Sequence, residues 1–195
     1  VTAKKRVGVL ALQGDFEAHG RALERAGAQV IYVREAEQLK HIDGLALPGG
    51  ESTTMLKLLK LENLMEPLAE FAREKPVLAT CAGVILMARE VSNPVQECLG
   101  ILDLAVERNG YGRQIDSRIV ELEPAADFQE RAGAGKLEAV FIRAPIIHKI
   151  GPEGRVLAEY LGHPVLVEQG RHLAATFHPE LTSDTRIQSL FIGRL

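Results

Sequence analysis

From Val7 to Arg89, short continuous apolar runs alternate with amphipathic helical stretches, and few folds accept that alternation. Val7-Gly8-Val9-Leu10-Ala11-Leu12 is apolar without a break and is stopped by Gly14, the pattern of a strand covered on both faces. Asp15 then caps a helix to about Ala26, with Phe16, Leu23 and Ala26 on its inner side. Gln29 to Val33 and Leu45 to Leu47 are the next two strands. The second of these ends at Pro48-Gly49-Gly50. Ser52 is placed to cap a helix carrying Met55, Leu58 and Leu59, and a further helical stretch runs from Leu64 to Arg73. Pro76 to Thr80 is another buried strand, and Ala82 to Arg89 reads as a helix directly after it. Strand and helix in turn predict an α/β fold, layered on a mainly parallel sheet.

The pattern changes after about Cys98. Ile101 to Val106, Arg118 to Leu122, Leu137 to Ile142, Val156 to Tyr160, Val165 to Gln169 and His172 to Phe177 read as strands joined by turns rather than helices. They predict an antiparallel extension of the sheet, closed by a last helix from a Ser183 cap to about Ile192. No repeat, low-complexity tract or linker interrupts the 195 residues, so one domain over 1–195 is expected. The formal net charge of −3 gives no basic excess to hold nucleic acid or an anionic membrane. The longest uncharged apolar stretch, Val77 to Ala88, is shorter than the ~18 residues of a membrane span. Lys4-Lys5-Arg6 before the first apolar run loosely resembles a signal peptide, but the run is short and lacks a small-residue cleavage site. The two cysteines, Cys81 and Cys98, form neither a disulfide framework nor a C-x-x-C pair, and a reducing cytoplasm suits them. No histidine spacing suggests a metal site, and neither a metal nor a cofactor is expected.

Three segments carry chemistry. In Pro76-Val77-Leu78-Ala79-Thr80-Cys81-Ala82-Gly83 an apolar strand meets a helix with almost no loop, and a cysteine stands at the junction. This is the layout of a nucleophile elbow, in which small residues at 79 and 83 let the turn pack and helix-start amides favour a thiolate. An inert cysteine in a core strand fits the segment equally well. In Phe177-His178-Pro179-Glu180, Pro179 keeps His178 out of the helical region. Residues two apart on an extended segment share a side, so Glu180 can orient the His178 imidazole. Alone, the segment reads better as a strand-end histidine beside a solvated glutamate; together with the elbow it favours a triad. In Leu47-Pro48-Gly49-Gly50-Glu51-Ser52 the glycines allow close approach of a ligand at the sheet's carboxyl edge, and their amides can join that of Ala82 in an oxyanion hole. An ordinary strand-to-helix turn is the alternative. Cys98 and the remaining histidines, His19 among them, read as structural or surface residues, and Arg108 and Arg143 by themselves as a turn residue and a strand end.

Taken in order, these segments resemble the class I, triad-type glutamine amidotransferases. Leu12-Gln13-Gly14-Asp15-Phe16, Pro48-Gly49-Gly50-Glu51-Ser52-Thr53-Thr54-Met55, Glu107-Arg108-Asn109-Gly110-Tyr111-Gly112-Arg113-Gln114 and Phe141-Ile142-Arg143-Ala144-Pro145 narrow the resemblance. They are similar to the glutaminase subunits of pyridoxal 5′-phosphate synthases, over essentially the whole chain. The resemblance implies a three-layer, flavodoxin-like α/β sandwich. It also implies hydrolysis of L-glutamine to glutamate and ammonia through a γ-glutamyl thioester. Cys81 would be nucleophile, His178 the proton carrier and Glu180 its orienting partner. Gly49, Gly50, Glu51 and Arg108 would bind glutamine, with Arg143 and Ala144 contacting it through their backbone, and Gly50 and Ala82 would form the oxyanion hole. The ammonia would pass to a (β/α)₈-barrel synthase subunit in a large hetero-oligomer, and the glutaminase would stay largely silent until that subunit docks and rearranges the oxyanion hole. Ala79 stands where the family usually has Gly, and Val84 where leucine is commoner; neither change touches the triad. A non-catalytic regulatory module, a peptidase-like cysteine hydrolase and an amidotransferase subunit of another pathway are the competing readings.

Overall fold

The computed structural model describes residues 4–111 and 117–195; Gly112, Arg113 and Gln114 of the motif above lie outside them. The first three strands, β1 (Arg6–Leu10), β2 (Gln29–Val33) and β3 (Gly44–Leu47), and the fourth, β4 (Val77–Thr80), are as short and as apolar as the sequence predicts. Helix α1 (Phe16–Arg25) links β1 to β2, and α2 (Ser52–Leu61) and α3 (Met65–Glu74) link β3 to β4. Asp15 caps α1, its carboxylate accepting from the Ala18 amide at 3.4 Å. A 3₁₀ turn over Ala36–His41 leads into β3.

The main sheet has seven strands in the order β10-β11-β12-β4-β3-β1-β2, where β10 is Gly154–Tyr160, β11 His163–Gln169 and β12 His172–Ala175. The run β12-β4-β3-β1-β2 is parallel, and β11 and β10 add to it antiparallel. Read from its other edge, the parallel part is the 2-1-3-4-5 arrangement of flavodoxin-like sheets. Side chains alternate across it. Leu10, Leu45, Leu47, Val77 and Ala79 face one core, with α2, α3 and the short helix α4 (Ala82–Met87). Val7, Val9, Ala46 and Leu78 face a second core, with Leu23 of α1, Phe128 of α5 (Ala126–Ala132) and Ile187 and Phe191 of α6 (Arg186–Ile192). Helices on both faces of one sheet make the three layers.

The region after Cys98 differs from the sequence reading. Only β10 and β11 extend the main sheet antiparallel. Three strands, β5 (Ala88–Ser92), β6 (Leu102–Glu107) and β9 (Ile146–Ile150), form a separate small sheet, and β7 (Ser117–Leu122) pairs with β8 (Leu137–Ile142) as a ribbon. The expected helix to Arg89 stops at Met87, because Ala88 turns extended and begins β5. A helix, α5, stands where only turns were expected. The cap of α6 is Thr185, not Ser183, and the Arg186 amide is taken by the Asp184 carboxylate at 3.0 Å. No helix among the described residues is long and apolar enough to cross a membrane.

Candidate active site

Parallel strands deliver their carboxyl ends to one edge of the sheet, and the loops there gather the singled-out residues. Cys81 follows β4 with φ 48° and ψ −108°, a left-handed conformation that a non-glycine residue holds only when its surroundings enforce it. Its own amide donates to the Ala175 carbonyl of β12 at 2.9 Å, and its carbonyl accepts from Val84 at 3.0 Å. Gly83 makes the turn possible: a Cβ there would land on the Leu47 carbonyl. As the first residues of α4, Ala82 and Gly83 have no intrahelical acceptor for their amides.

His178 stands after β12, its amide donating to Val140 of β8 at 2.8 Å. Glu180 reaches it by a route other than the predicted extended segment. Pro179–Leu181 is a 3₁₀ turn with Pro179 at its first position, where a fixed φ and the missing N–H suit a helix start. The turn brings Glu180 Oε1 to 2.7 Å from His178 Nδ1. Both side chains are buried, Cys81 and His178 line the same cavity, and His178 Nε2 has no hydrogen-bond partner among the described residues. Burial pulls the His178 pKa down, but the nearness of Cys81 and the hydrogen bond and charge of Glu180 prevail and raise it to about 10. Burial likewise pushes Glu180 up, while the charge of His19 and the hydrogen bond from His178 prevail and hold it at about 2. The arrangement sets one imidazole between a sulfur that shares its cavity and a carboxylate that holds its Nδ1.

Gly49 packs against this pair; a Cβ on it would sit 2.6 Å from His178 Cε1. The following Gly50 has φ 127°. Gln13, after β1, brackets the turn by donating to the Gly49 carbonyl at 3.2 Å and accepting from the Glu51 amide at 3.1 Å. Glu51, not Ser52, caps α2. Its two carboxylate oxygens accept from the Thr53 and Thr54 amides at 3.0 and 2.8 Å and from both hydroxyls. A hydrogen bond from the Thr53 hydroxyl, followed by those of Thr54 and both amides, overcomes burial and lowers its pKa to about 2. Ser52 instead donates to Gln96 Oε1 at 2.8 Å. Arg108, just past β6, donates to Glu51 Oε1 and Thr53 Oγ1, each at 3.2 Å.

A cavity of about 390 Å³ connects these groups. Gly49, Gly50, Glu51, Cys81, Arg108, Arg143 and His178 all line it. Glu180 lies buried behind His178. Ala82 and Ala144 are buried and do not line the cavity. The backbone at Arg143 is strained, with φ 46°, and the preceding Ile142 carbonyl lies 3.9 Å from Cys81 Sγ. Asp15, Ser52, Ile85, Asn109, Ile142 and Leu181 complete the lining; sequence reasoning gave none of them a place in the site, since nothing in their own segments announces it. His19, read as structural or surface, is buried against Glu180. A larger groove of about 620 Å³, between the 3₁₀ turn at Ala36–His41 and α3, is remote from these side chains. Among the described residues no cluster of three or more His, Cys, Asp or Glu side chains could hold a metal ion.

Residues 9–195 match the family model of the SNO glutamine amidotransferase family. The chain belongs to this family. A relative, the pyridoxal 5′-phosphate synthase subunit PdxT of Solibacter usitatus, is 64% identical over 98% of this chain and 100% of its own length. The protein of the same name from Koribacter versatilis is 54% identical over 96% of this chain and 94% of its own. A solved glutamine amidotransferase superposes with a TM-score of 0.87 at 42% identity, covering 96% of this chain and 97% of that one. The SNO fold extends further: a chain of the PurLQS structure from Thermotoga maritima aligns with a TM-score of 0.71 at 19% identity, over 98% of this chain and 99% of that one.

Proposed function

We propose that this chain, as one domain over 1–195, is the glutaminase subunit of a pyridoxal 5′-phosphate synthase. The observation that carries the reading is the His178–Glu180 pair at 2.7 Å, set beside a cysteine on a strained elbow in a cavity that also exposes Arg108. The names and near-complete alignment of the two PdxT relatives support the synthase assignment.

Glutamine lies in the cavity with its α-carboxylate toward Arg108. Gly49, Gly50 and Glu51 form one wall and the backbone of Arg143 another, with Ala144 buried behind it. Cys81 Sγ, as thiolate, adds to the side-chain amide carbon. The resulting oxyanion takes hydrogen bonds from the amides of Gly50 and Ala82. The His178 imidazolium gives its Nε2 proton to the amide nitrogen; the C–N bond breaks, ammonia leaves and a γ-glutamyl thioester remains. Water then attacks, His178 takes its proton, and the C–S bond breaks to release glutamate and restore the thiolate. Glu180 holds the ring and its charge throughout. No cofactor enters these steps.

The ammonia passes to a (β/α)₈-barrel synthase subunit within a hetero-oligomer. Docking of that subunit resets the Pro48-Gly49-Gly50 turn, the element whose glycines permit a peptide reorientation. A reducing cytoplasm keeps Cys81 usable. The test is glutamate release from L-glutamine by the chain alone and with the barrel partner present. Strong activation by the partner, abolished by Cys81→Ala, is expected. Release that persists in Cys81→Ala with the partner present would remove Cys81 as nucleophile. Turnover of peptides but not glutamine would favour the cysteine-hydrolase reading.

A further inference from the structure

Behind the Glu180 carboxylate lies a histidine that these steps do not use. His19, on α1, is 1% exposed. Its Nε2 is 3.0 Å from Thr80 Oγ1 and 3.3 Å from Glu180 Oε2. Oε1 of Glu180 is taken by His178; buried Oε2 makes no hydrogen bond among the described residues, and the His19 nitrogen at 3.3 Å is the basic group set against it. An ionised carboxylate only accepts, so the ring nitrogen set against Oε2 serves it as an N–H. The Thr80 hydroxyl, also 3.4 Å from the Leu47 carbonyl, flanks that nitrogen. His19 Nδ1 is buried and without a partner among the described residues. The same helix braces the 179–181 turn a second time, where Arg25 Nη2 donates to the Thr182 carbonyl at 3.1 Å.

We propose that His19 is a positioning residue: its Nε2–H holds the second oxygen of Glu180 and so keeps the first aimed at His178. The inference rests on the glutaminase reading above. A carboxylate bound through Oε1 to His178 and set against His19 at Oε2 loses both neighbours if it rotates. With one donor removed, buried Glu180 binds a proton more readily, and a protonated Glu180 no longer supports the His178 imidazolium. Among the described residues the titratable groups facing Glu180 are His178, from its own turn, and His19, from α1. Cys81, at the start of α4, acts on it only through His178.

The test compares wild type, His19→Met and His19→Gln, each in complex with the barrel subunit. Methionine fills the space without a donor, and the glutamine amide restores an N–H near Nε2. His19→Met is expected to lower kcat about tenfold with KM changed less than about twofold, and to move the acid limb of the kcat–pH profile upward by about one unit. His19→Gln recovers most of both. The pH profile of Cys81 alkylation by iodoacetamide, on each chain alone, shifts in the same sense. Wild-type kcat and an unmoved acid limb in folded His19→Met overturn the proposal. So does an equal loss in both variants with no shift of the limb, which marks His19 as packing alone. If His19→Met does not fold, His19→Gln against the shorter His19→Asn makes the same decision. Glutamate release that survives Cys81→Ala defeats the glutaminase reading instead, and the alkylation series then decides on His19 by itself.

Discussion

A single carbonyl limits residue 83. Because a Cβ at Gly83 meets the Leu47 carbonyl of a neighbouring strand, backbone rather than a flexible side chain must yield. Gly83→Ala is therefore expected to cost about 1–3 kcal/mol, read as a lower midpoint in thermal or urea denaturation; an unchanged midpoint would show that the elbow has slack. Glu180→Gln keeps the volume of the buried side chain and removes the charge that supports His178. It should fold, and lose activity by orders of magnitude in kcat with the barrel partner present. A near wild-type rate would end the orienting role proposed for Glu180. At this scale the sequence was legible where a residue's role is written in its immediate neighbours. Cys81 and Gly83 belong to one strand-to-helix junction, and His178 and Glu180 are two apart. His19 was not legible. Its partner is distant in the chain, and α1 presents it as one more buried helix position.

Elements were predicted well where periodicity speaks and poorly where a cap or a neighbour decides. Gln29–Val33 and Leu137–Ile142 are strands with the boundaries read from the sequence. The cap of α2 was misassigned because Ser52 and Glu51 both offer oxygen, and only the fold shows which one curls back on Thr53 and Thr54. The His178–Glu180 pair was expected, but on an extended strand, because the rule for the residue before proline says nothing of the 3₁₀ turn after it. Strand β5 follows α4 without a turn signal, since its pairing to β6 is a long-range fact. Glu51 makes an element-scale prediction. Replacing it with alanine removes the whole carboxylate from the start of α2, at a cost of about 1 kcal/mol and about 2–4 °C in melting temperature for a chain of this size. It also frees Arg108 from its carboxylate partner. A variant that melts with wild type would show that the threonines cap the helix without it.

At the scale of the molecule, one imidazole ties two central strands where they begin. His172, the first residue of β12, accepts a hydrogen bond from the Val77 amide of β4 at 3.1 Å. Burial above all, with the charge of Arg171 adding to it, lowers its pKa from 6.5 to about 4. Between these values the unfolded chain binds a proton that the folded one refuses, so stability rises with pH across the window and is lost as pH falls from about 6.5 to 4. The full effect is on the order of 3 kcal/mol. Glu51 and Glu180, held at about 2, lose their contributions in a lower window, as pH falls from about 4.5 toward 2. Urea denaturation at stepped pH should therefore show an upper acid slope that His172→Asn flattens, above a lower one that it leaves in place. Parallel curves for the two proteins would refute the assignment. Strand order has a further outcome, in the time course of synthesis. β12 separates β4 from β11 and supplies the Ala175 carbonyl that receives the Cys81 amide. Of the seven strands in the sheet it is also the last to leave the ribosome. A chain folding from its N-terminus thus carries its cysteine on an open sheet edge, with no histidine or glutamate beside it, until every other strand of the sheet has been made. Nascent chains stalled before His172 should bind no glutamine-site alkylator selectively at Cys81, and released chains should.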